Sequence, residues 1–242
     1  MRVDSVAARR RGLCAVVISG YDETEWPEIA ALQTRESLAH RQETPPEGTL
    51  LVHAATVEEQ GVGFGDRVTA GDLCALLAES AFQRAWSRAG YLLGRQDYAA
   101  GAIRRKLALD FGADAAERTV EKLAERGYVN DEALAARLAK SYMTEQHLSK
   151  TGTVQKLIGR GIPSAVAKEA AEQVEADPAD QLKTLITKKY ARALDGTPDD
   201  VRRAVNALMR RGFRYGDIRQ ALSDLRDGVE LADEPYGEID YD

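Results

Sequence analysis

Histidine and cysteine are scarce in this chain, and their scarcity removes whole classes of function. Three histidines (His40, His53, His147) and two cysteines (Cys14, Cys74) lie scattered. None has a partner at metal-ligand spacing, so neither a metal site nor a disulfide is expected. Aromatic residues make up only 6% of the sequence, which suits small Ala/Leu helix contacts better than a large enzyme core. No apolar run approaches the roughly 20 residues that span a bilayer. Arg9, Arg10 and Arg11 precede an apolar stretch, Cys14 to Ser19, that is too short for a signal-peptide core. There is no Walker sequence and no nucleophile elbow, and Ser141 and Ser149 lack a histidine partner. These absences predict a cytoplasmic, non-enzymatic protein with no cofactor, no metal ion and no membrane contact.

Charge is present but unevenly spread. The net charge is -6, yet residues 81–225 hold 25 Lys/Arg against 19 Asp/Glu, a balance of +6. Residues 1–80 and 226–242 each carry -6. A basic middle between acidic flanks is compatible with an anionic partner.

A register of 51 residues runs through the second half. Ile103, Val154 and Val205 keep it, as do Ala116, Ala167 and Ile218. Val120, Ala171 and Leu222 form a third column, and Leu123, Val174 and Leu225 a fourth. Within each copy the last two columns are three residues apart, on one helical face. A unit this long cannot bury a full core alone, so three copies predict a helical array.

The local signals fill in the rest. Leu13 to Ser19 and Leu50 to Val57 read as strands, and residues 21–49 between them as irregular. Gly61, Gly63 and Gly65 read as a turn; no helix at dinucleotide spacing follows them. Thr69 or Asp72 starts the helical part. Asp114 with Glu117 reads as an N-terminal capping pair, and Gly127 as a helix stop. Asp177-Pro178 and Thr197-Pro198 read as caps followed by proline at the first helical position. Helices are predicted near 79–93, 99–110 and 114–126, then 131–145, 151–160 and 163–175, then 178–194, 198–211 and 215–225.

The predicted fold class is therefore mainly α: three tandem three-helix repeats in a curved, elongated array, with a small N-terminal β-containing segment. The expected boundaries are 1–78 for that segment, 79–127, 128–177 and 178–226 for the repeats, and 227–242 for an acidic, disordered tail.

The repeat boundaries carry a family resemblance. Gly127-Tyr-Val-Asn-Asp131-Glu-Ala-Leu-Ala135 resembles the "G-x-L-[ND]-D-x-x-[FY]-A" signature of the RecX family. Lys150-Thr-Gly152 with Val154, Leu157 and Arg160-Gly161-Ile162 is similar to that family's "G-x-x-x-I-x-x-x-L-x-x-[KR]-G-[IV]" segment. Arg210-Arg-Gly-Phe213-Arg-Tyr-Gly-Asp-Ile218 resembles its "[RK]-R-G-F-x-x-x-x-I". Three weak motifs in the right order make a strong signal across residues 61–225. Two features depart from the pattern: Leu134 stands where the family has an aromatic residue, and residues 21–61 are longer than the family's N-terminal β region. The resemblance implies a monomeric regulator that lies in the groove of the RecA filament on single-stranded DNA. There it would suppress ATP hydrolysis, strand exchange and co-protease activity, in DNA repair and the SOS response.

Candidate contact residues are basic. Arg202, Arg203, Arg210, Arg211 and Arg214, with Phe213 and Tyr215 interleaved, form the densest patch, suited to phosphates or an acidic protein surface, with Tyr215 available for stacking. A solvated helix face with Phe213 in the core is the competing reading. Lys188, Lys189 and Arg192 form a second group. Lys156 and Arg160 share a helix face near Lys150, and Arg104, Arg105 and Lys106 occupy the corresponding helix of the first repeat. A nucleic-acid-binding module acting without RecA is the alternative function, and a helical scaffold for another protein the third. The charge asymmetry also suggests that the acidic tail shields the basic middle. Deleting residues 227–242 should then tighten binding to single-stranded DNA in an anisotropy titration, and unchanged affinity would count against shielding.

Overall fold

The structure, a computed structural model, describes residues 1–20, 29 and 48–226. The expectations for the stretch between the second and third strands and for the tail lie outside those residues. The chain divides into two compact units, one from Met1 to Asn130 and the other from Asp131 onward.

The first unit opens with a three-stranded antiparallel sheet in the order β1 (Arg2–Ala8), β2 (Leu13–Ser19), β3 (Thr49–His53). Val16 stands opposite Val6 on one side and Leu50 on the other. Sequence patterning misses β1 because it is an edge strand: only Val3 is buried, while Arg2 and Asp4 face solvent. The expected strand over 50–57 ends at His53, and Ala54–Gln60 form helix α1, stopped by Gly61 at φ +65°. Burial of Thr56 and Val57 overrides their β preference. The glycine turn folds back on β1, with Gly65 N–H donating to the Val3 carbonyl and Val3 N–H to the Asp66 carbonyl.

Thr69 and Asp72 together cap helix α2 (Ala70–Leu93) in a reciprocal capping box. The helix therefore begins well before residue 79. Its first turns put Leu73, Leu76 and Leu77 into the sheet core. Further along, Ala81, Ala85 and Ala89 enter a second core with Ile103 and Leu107 of α3 (Ala100–Phe111) and Val120 and Leu123 of α4 (Ala113–Glu125). The expected Asp114–Glu117 capping pair does not form. Helix α4 starts immediately after Gly112 (φ +88°), leaving no loop for Asp114 to cap from, and Glu117 pairs with Arg104 instead.

The second unit holds two groups. The first comprises α5 (Asp131–Thr144), α6 (Lys150–Gly159) and α7 (Ser164–Glu172). The next comprises α8 (Pro178–Lys189), the short α9 (Arg192–Asp195), α10 (Pro198–Met209) and α11 (Tyr215–Leu225). Asp177 caps α8 and Thr197 caps α10, each ahead of its proline, as the sequence indicates. The helix expected over 178–194 breaks at Tyr190 (φ -127°, ψ 29°), which packs half-buried against the last core. The second and third register columns are buried in all three copies, whereas Val154, Val174 and Leu225 are only partly so, Val174 lying past the end of α7.

Gly127, Gly161 and Gly212, each at positive φ, close one helix in each helical group, and each time the N–H of the next residue returns to a carbonyl in the last turn. The pairs are Tyr128 to Leu123, Ile162 to Leu157 and Phe213 to Leu208. Gly212 has a second duty. A Cβ there would sit 2.4 Å from the Gly152 nitrogen, and one on Gly152 would sit 2.2 Å from the Arg211 carbonyl oxygen. Ser149 seals this crossing, donating its N–H to the Arg211 carbonyl at 3.0 Å and capping Gly152 N–H with its hydroxyl. Gly212→Ala combines a strained φ with a backbone clash and should cost about 3 kcal/mol. Gly152→Ala should be comparably damaging, and the double variant less than additive because both relieve the same contact. Urea titration followed by far-ultraviolet circular dichroism measures this; losses below about 0.5 kcal/mol would sink it.

Candidate functional site

Basic residues concentrate around a cleft of about 410 Å³ in the last helical group, lined by Lys188, Lys189, Arg192, Asp200 and Arg203. Lys188 and Lys189 end α8, where cations complement the helix dipole. Arg192 opens α9 and Arg203 reaches in from α10. The dipole accounts for the two lysines, but not for two arginines lining the same space. The carboxylate in the cleft is committed elsewhere: Asp200 accepts from the Thr197 hydroxyl at 2.7 Å and the Thr197 N–H at 3.0 Å. Those bonds hold its pKa below the usual carboxylate value. Arg203 meets it only at 3.7 Å and is 77% exposed. Among the described residues no carboxylate ion-pairs with Lys188, Lys189 or Arg192. Lys183, earlier on α8, shows the contrast. Its hydrogen bond to Asp224 at 3.0 Å raises the lysine's pKa and lowers the aspartate's.

The field of this cluster extends to the turn before α6. His147 sits there at φ +51°, and its pKa is lowered by partial burial and then by Lys189, Lys188 and Arg211. Arg211 itself donates to the Gln146 carbonyl, so its guanidinium helps hold the Gly152–Gly212 crossing.

A second, more apolar cleft of about 960 Å³ lies beside that crossing, with Leu148, Gln155, Lys156, Met209 and Arg210 in its walls. Lys156 is committed, donating to Gln146 Oε1 at 2.6 Å and lying 4.4 Å from the Tyr142 ring centre. Arg210 is exposed.

The remaining sequence candidates divide between tied and exposed. Arg202 pairs with Asp199 at 2.9 Å on the surface, a contact of little energetic weight. Arg160 and Arg214 are exposed at helix ends, and Tyr215 packs partly into the last core. In the first unit Arg104 makes a two-point contact with Glu117, at 2.5 and 3.0 Å, while Arg105 is exposed. Lys188 and Arg203 are thus brought together with Lys189 and Arg192 in one cleft. Among the described residues no three His, Cys, Asp or Glu side chains are placed to hold a metal ion, and no helix is long and apolar enough to cross a membrane.

Such an arrangement is chemically suited to anionic groups. His147 reports on it. The fold favours the neutral imidazole, so its contribution to stability is whole above pH 6.5 and declines as the pH falls below that value toward the folded pKa. An NMR titration should place the His147 midpoint below 6.5. Lys188→Ala/Lys189→Ala should move it up, and so should inorganic phosphate bound in the cleft. A native midpoint at or above 6.5 would refute the cationic field.

Residues 175–222, which include this cleft, match the family model "RecX, third three-helix domain". Regulatory protein RecX of Trichlorobacter lovleyi is 31% identical over 134 residues, covering 53% of this chain and 87% of the relative. The namesake in Syntrophotalea carbinolica is 30% identical over 147 residues, 59% of this chain and 96% of the relative. A crystal structure of regulatory protein RecX shares the fold with a TM-score of 0.56 at 16% identity, over 93% of this chain and 98% of that one. RecX from Lactobacillus salivarius does so at 0.51 and 20%, over 60% and 96%. With two such relatives spanned almost end to end and the helical fold shared with solved RecX structures, the chain belongs to the RecX family of regulatory proteins.

Proposed function

We propose that this protein binds the RecA filament assembled on single-stranded DNA and restrains it, lowering ATP hydrolysis, strand exchange and co-protease activity in DNA repair and the SOS response. It acts as a cytoplasmic monomer, without catalysis of its own. The observation that carries this reading is the cleft where Lys188, Lys189, Arg192 and Arg203 converge with three of the four cations outside any ion pair. Uncompensated cations in a concave site favour an anionic partner, since the partner's charge replaces water without breaking an internal pair. Arg105, Arg160, Arg210 and Arg214, all exposed, supply further contacts, and Arg202 one that exchanges its Asp199 partner. Many modest contacts along a polymer act together, so no single one need be strong.

The same cleft supports a second reading, direct binding of nucleic acid without RecA. The two separate by salt and by partner: a purely nucleic-acid-binding protein holds single-stranded DNA alone, ever more weakly as salt rises.

The deciding experiment titrates RecA's DNA-dependent ATPase with the native chain and with Lys188→Glu/Arg192→Glu/Arg203→Glu. The native chain should inhibit below one molecule per RecA protomer. The variant should need about tenfold more protein or worse, equivalent to roughly 1.4 kcal/mol. Full ATPase activity at saturating native protein would overturn the proposal; equal inhibition by both would move the contacts away from the cleft.

A further inference from the structure

The first unit carries a second cationic surface, built differently from the cleft. Helix α4 presents Arg118, Lys122 and Arg126 four residues apart on one face, over Phe82 and Trp86 of α2. The Arg118 guanidinium lies 4.4 Å from the Phe82 ring centre. Lys122 lies 4.9 Å from Phe82 and 5.3 Å from Trp86, and Arg126 lies 5.2 Å from Trp86. Tyr128 completes the group, edge-on to Trp86 at 6.3 Å.

Part of this array is structural. Phe82 is buried, and Arg118 is held by Glu79 at 2.6 Å. Trp86 also packs against the core, and Lys122 and Arg126 lie over its ring. Among the described residues Lys122 and Arg126 make no ion pair, although Glu121 and Glu125 flank them on the same helix. Tyr128 is exposed at 61%. Its position makes that exposure informative. In the turns closed by Gly161 and Gly212 the equivalent residues, Ile162 and Phe213, are 2% and 5% exposed, because this position ordinarily packs back on the helix. Here Gly127 at φ +71° turns an aromatic ring outward beside Trp86, while Val129 alone takes the buried place.

A surface that joins two cations outside any ion pair to one exposed ring and one half-buried ring fits a partner with regularly spaced negative charge and flat apolar faces. Single-stranded nucleic acid has both: phosphates for Lys122 and Arg126, and bases to stack on Tyr128 and Trp86. We infer that this face of the first unit is a stacking site for single-stranded DNA, separate from the cleft of the last group. The inference rests on the reading that the protein works on a filament built around single-stranded DNA, and it assigns contact with the strand itself to the first unit.

Trp86 makes the site observable, since the chain has only one other tryptophan, Trp26. In a full-length Trp26→Phe protein, a dT oligonucleotide should quench Trp86 emission saturably, with the same midpoint as the anisotropy of the labelled strand. Lys122→Glu/Arg126→Glu should weaken that binding by about tenfold or more. Tyr128→Ser should reduce both quenching and affinity, with circular dichroism unchanged. Saturated binding without quenching, or affinities equal to native in both variants, would overturn the inference. Equal quenching by a duplex of the same length, whose bases are already stacked, would also overturn it, as would equal quenching by poly-glutamate, which would make the partner an acidic protein. RecA ATPase assays on the same proteins keep the two proposals apart. Inhibition that persists without quenching defeats only the stacking site, and quenching without inhibition defeats only the regulatory reading.

Discussion

The second unit is registered by one contact, the crossing of two backbones at Gly152 and Gly212. No side chain fits between them, since a single added carbon on either residue would overlap the opposite main chain. Ser149 and Arg211 close the crossing from both sides, one through its amide and hydroxyl and the other through its carbonyl and guanidinium. The contact fixes where α6 begins relative to the α10–α11 turn. It thereby sets where His147 and Arg211 stand with respect to Lys188 and Lys189. Core residues such as Leu157 and Leu208 supply the burial, but burial is non-directional and would tolerate small slips. A backbone crossing would not.

Charge in this protein is sorted by what each group has already been given. Carboxylates of the last helical group are absorbed by caps and pairs: Asp200, in the cleft, by Thr197, and Asp224 by Lys183. Basic residues divide the same way. Arg104, Arg118, Lys156 and Arg211 have internal partners and hold structure together. Among the described residues Lys188, Lys189 and Arg192 make no ion pair, and Lys122 and Arg126 meet only aromatic rings. Counting basic residues therefore overstates the binding surface; those without an ion pair gather around a cleft in one place and over aromatic rings in another.

Features set within one turn of chain were legible from the sequence. The caps at Asp177 and Thr197 and the stop at Gly127 need only neighbouring residues, and they sit where the sequence puts them. Features set by distant contacts were not. Strand β1 looks polar because only one of its faces meets the sheet core. Thr56 and Val57 favour a strand by type, yet burial in the sheet domain holds them helical. Asp114 looks like a cap until Gly112 ties two helices end to end. The site follows the same division. The type and clustering of the basic residues in the last group were visible, whereas the row of Arg118, Lys122 and Arg126 gains its meaning only from the Phe82 and Trp86 rings beneath it. Partners such as the Gln146 carbonyl, 65 residues from Arg211, are decided only by the fold.

Helix α2 has a mechanical consequence. One uninterrupted helix of 24 residues supplies Leu73, Leu76 and Leu77 to the sheet core and Ala81, Ala85 and Ala89 to the helical core beyond it. A helix propagates its order along its length once nucleated. Loosening of either core is therefore felt as fraying at one end of a shared strut, and the sheet and the first helical group behave as a single cooperative body. In hydrogen exchange the amides of β2 and those of α3 and α4 should fall into one protection class. Trp86, on that same strut and packed against the helical core, should report on the sheet through it.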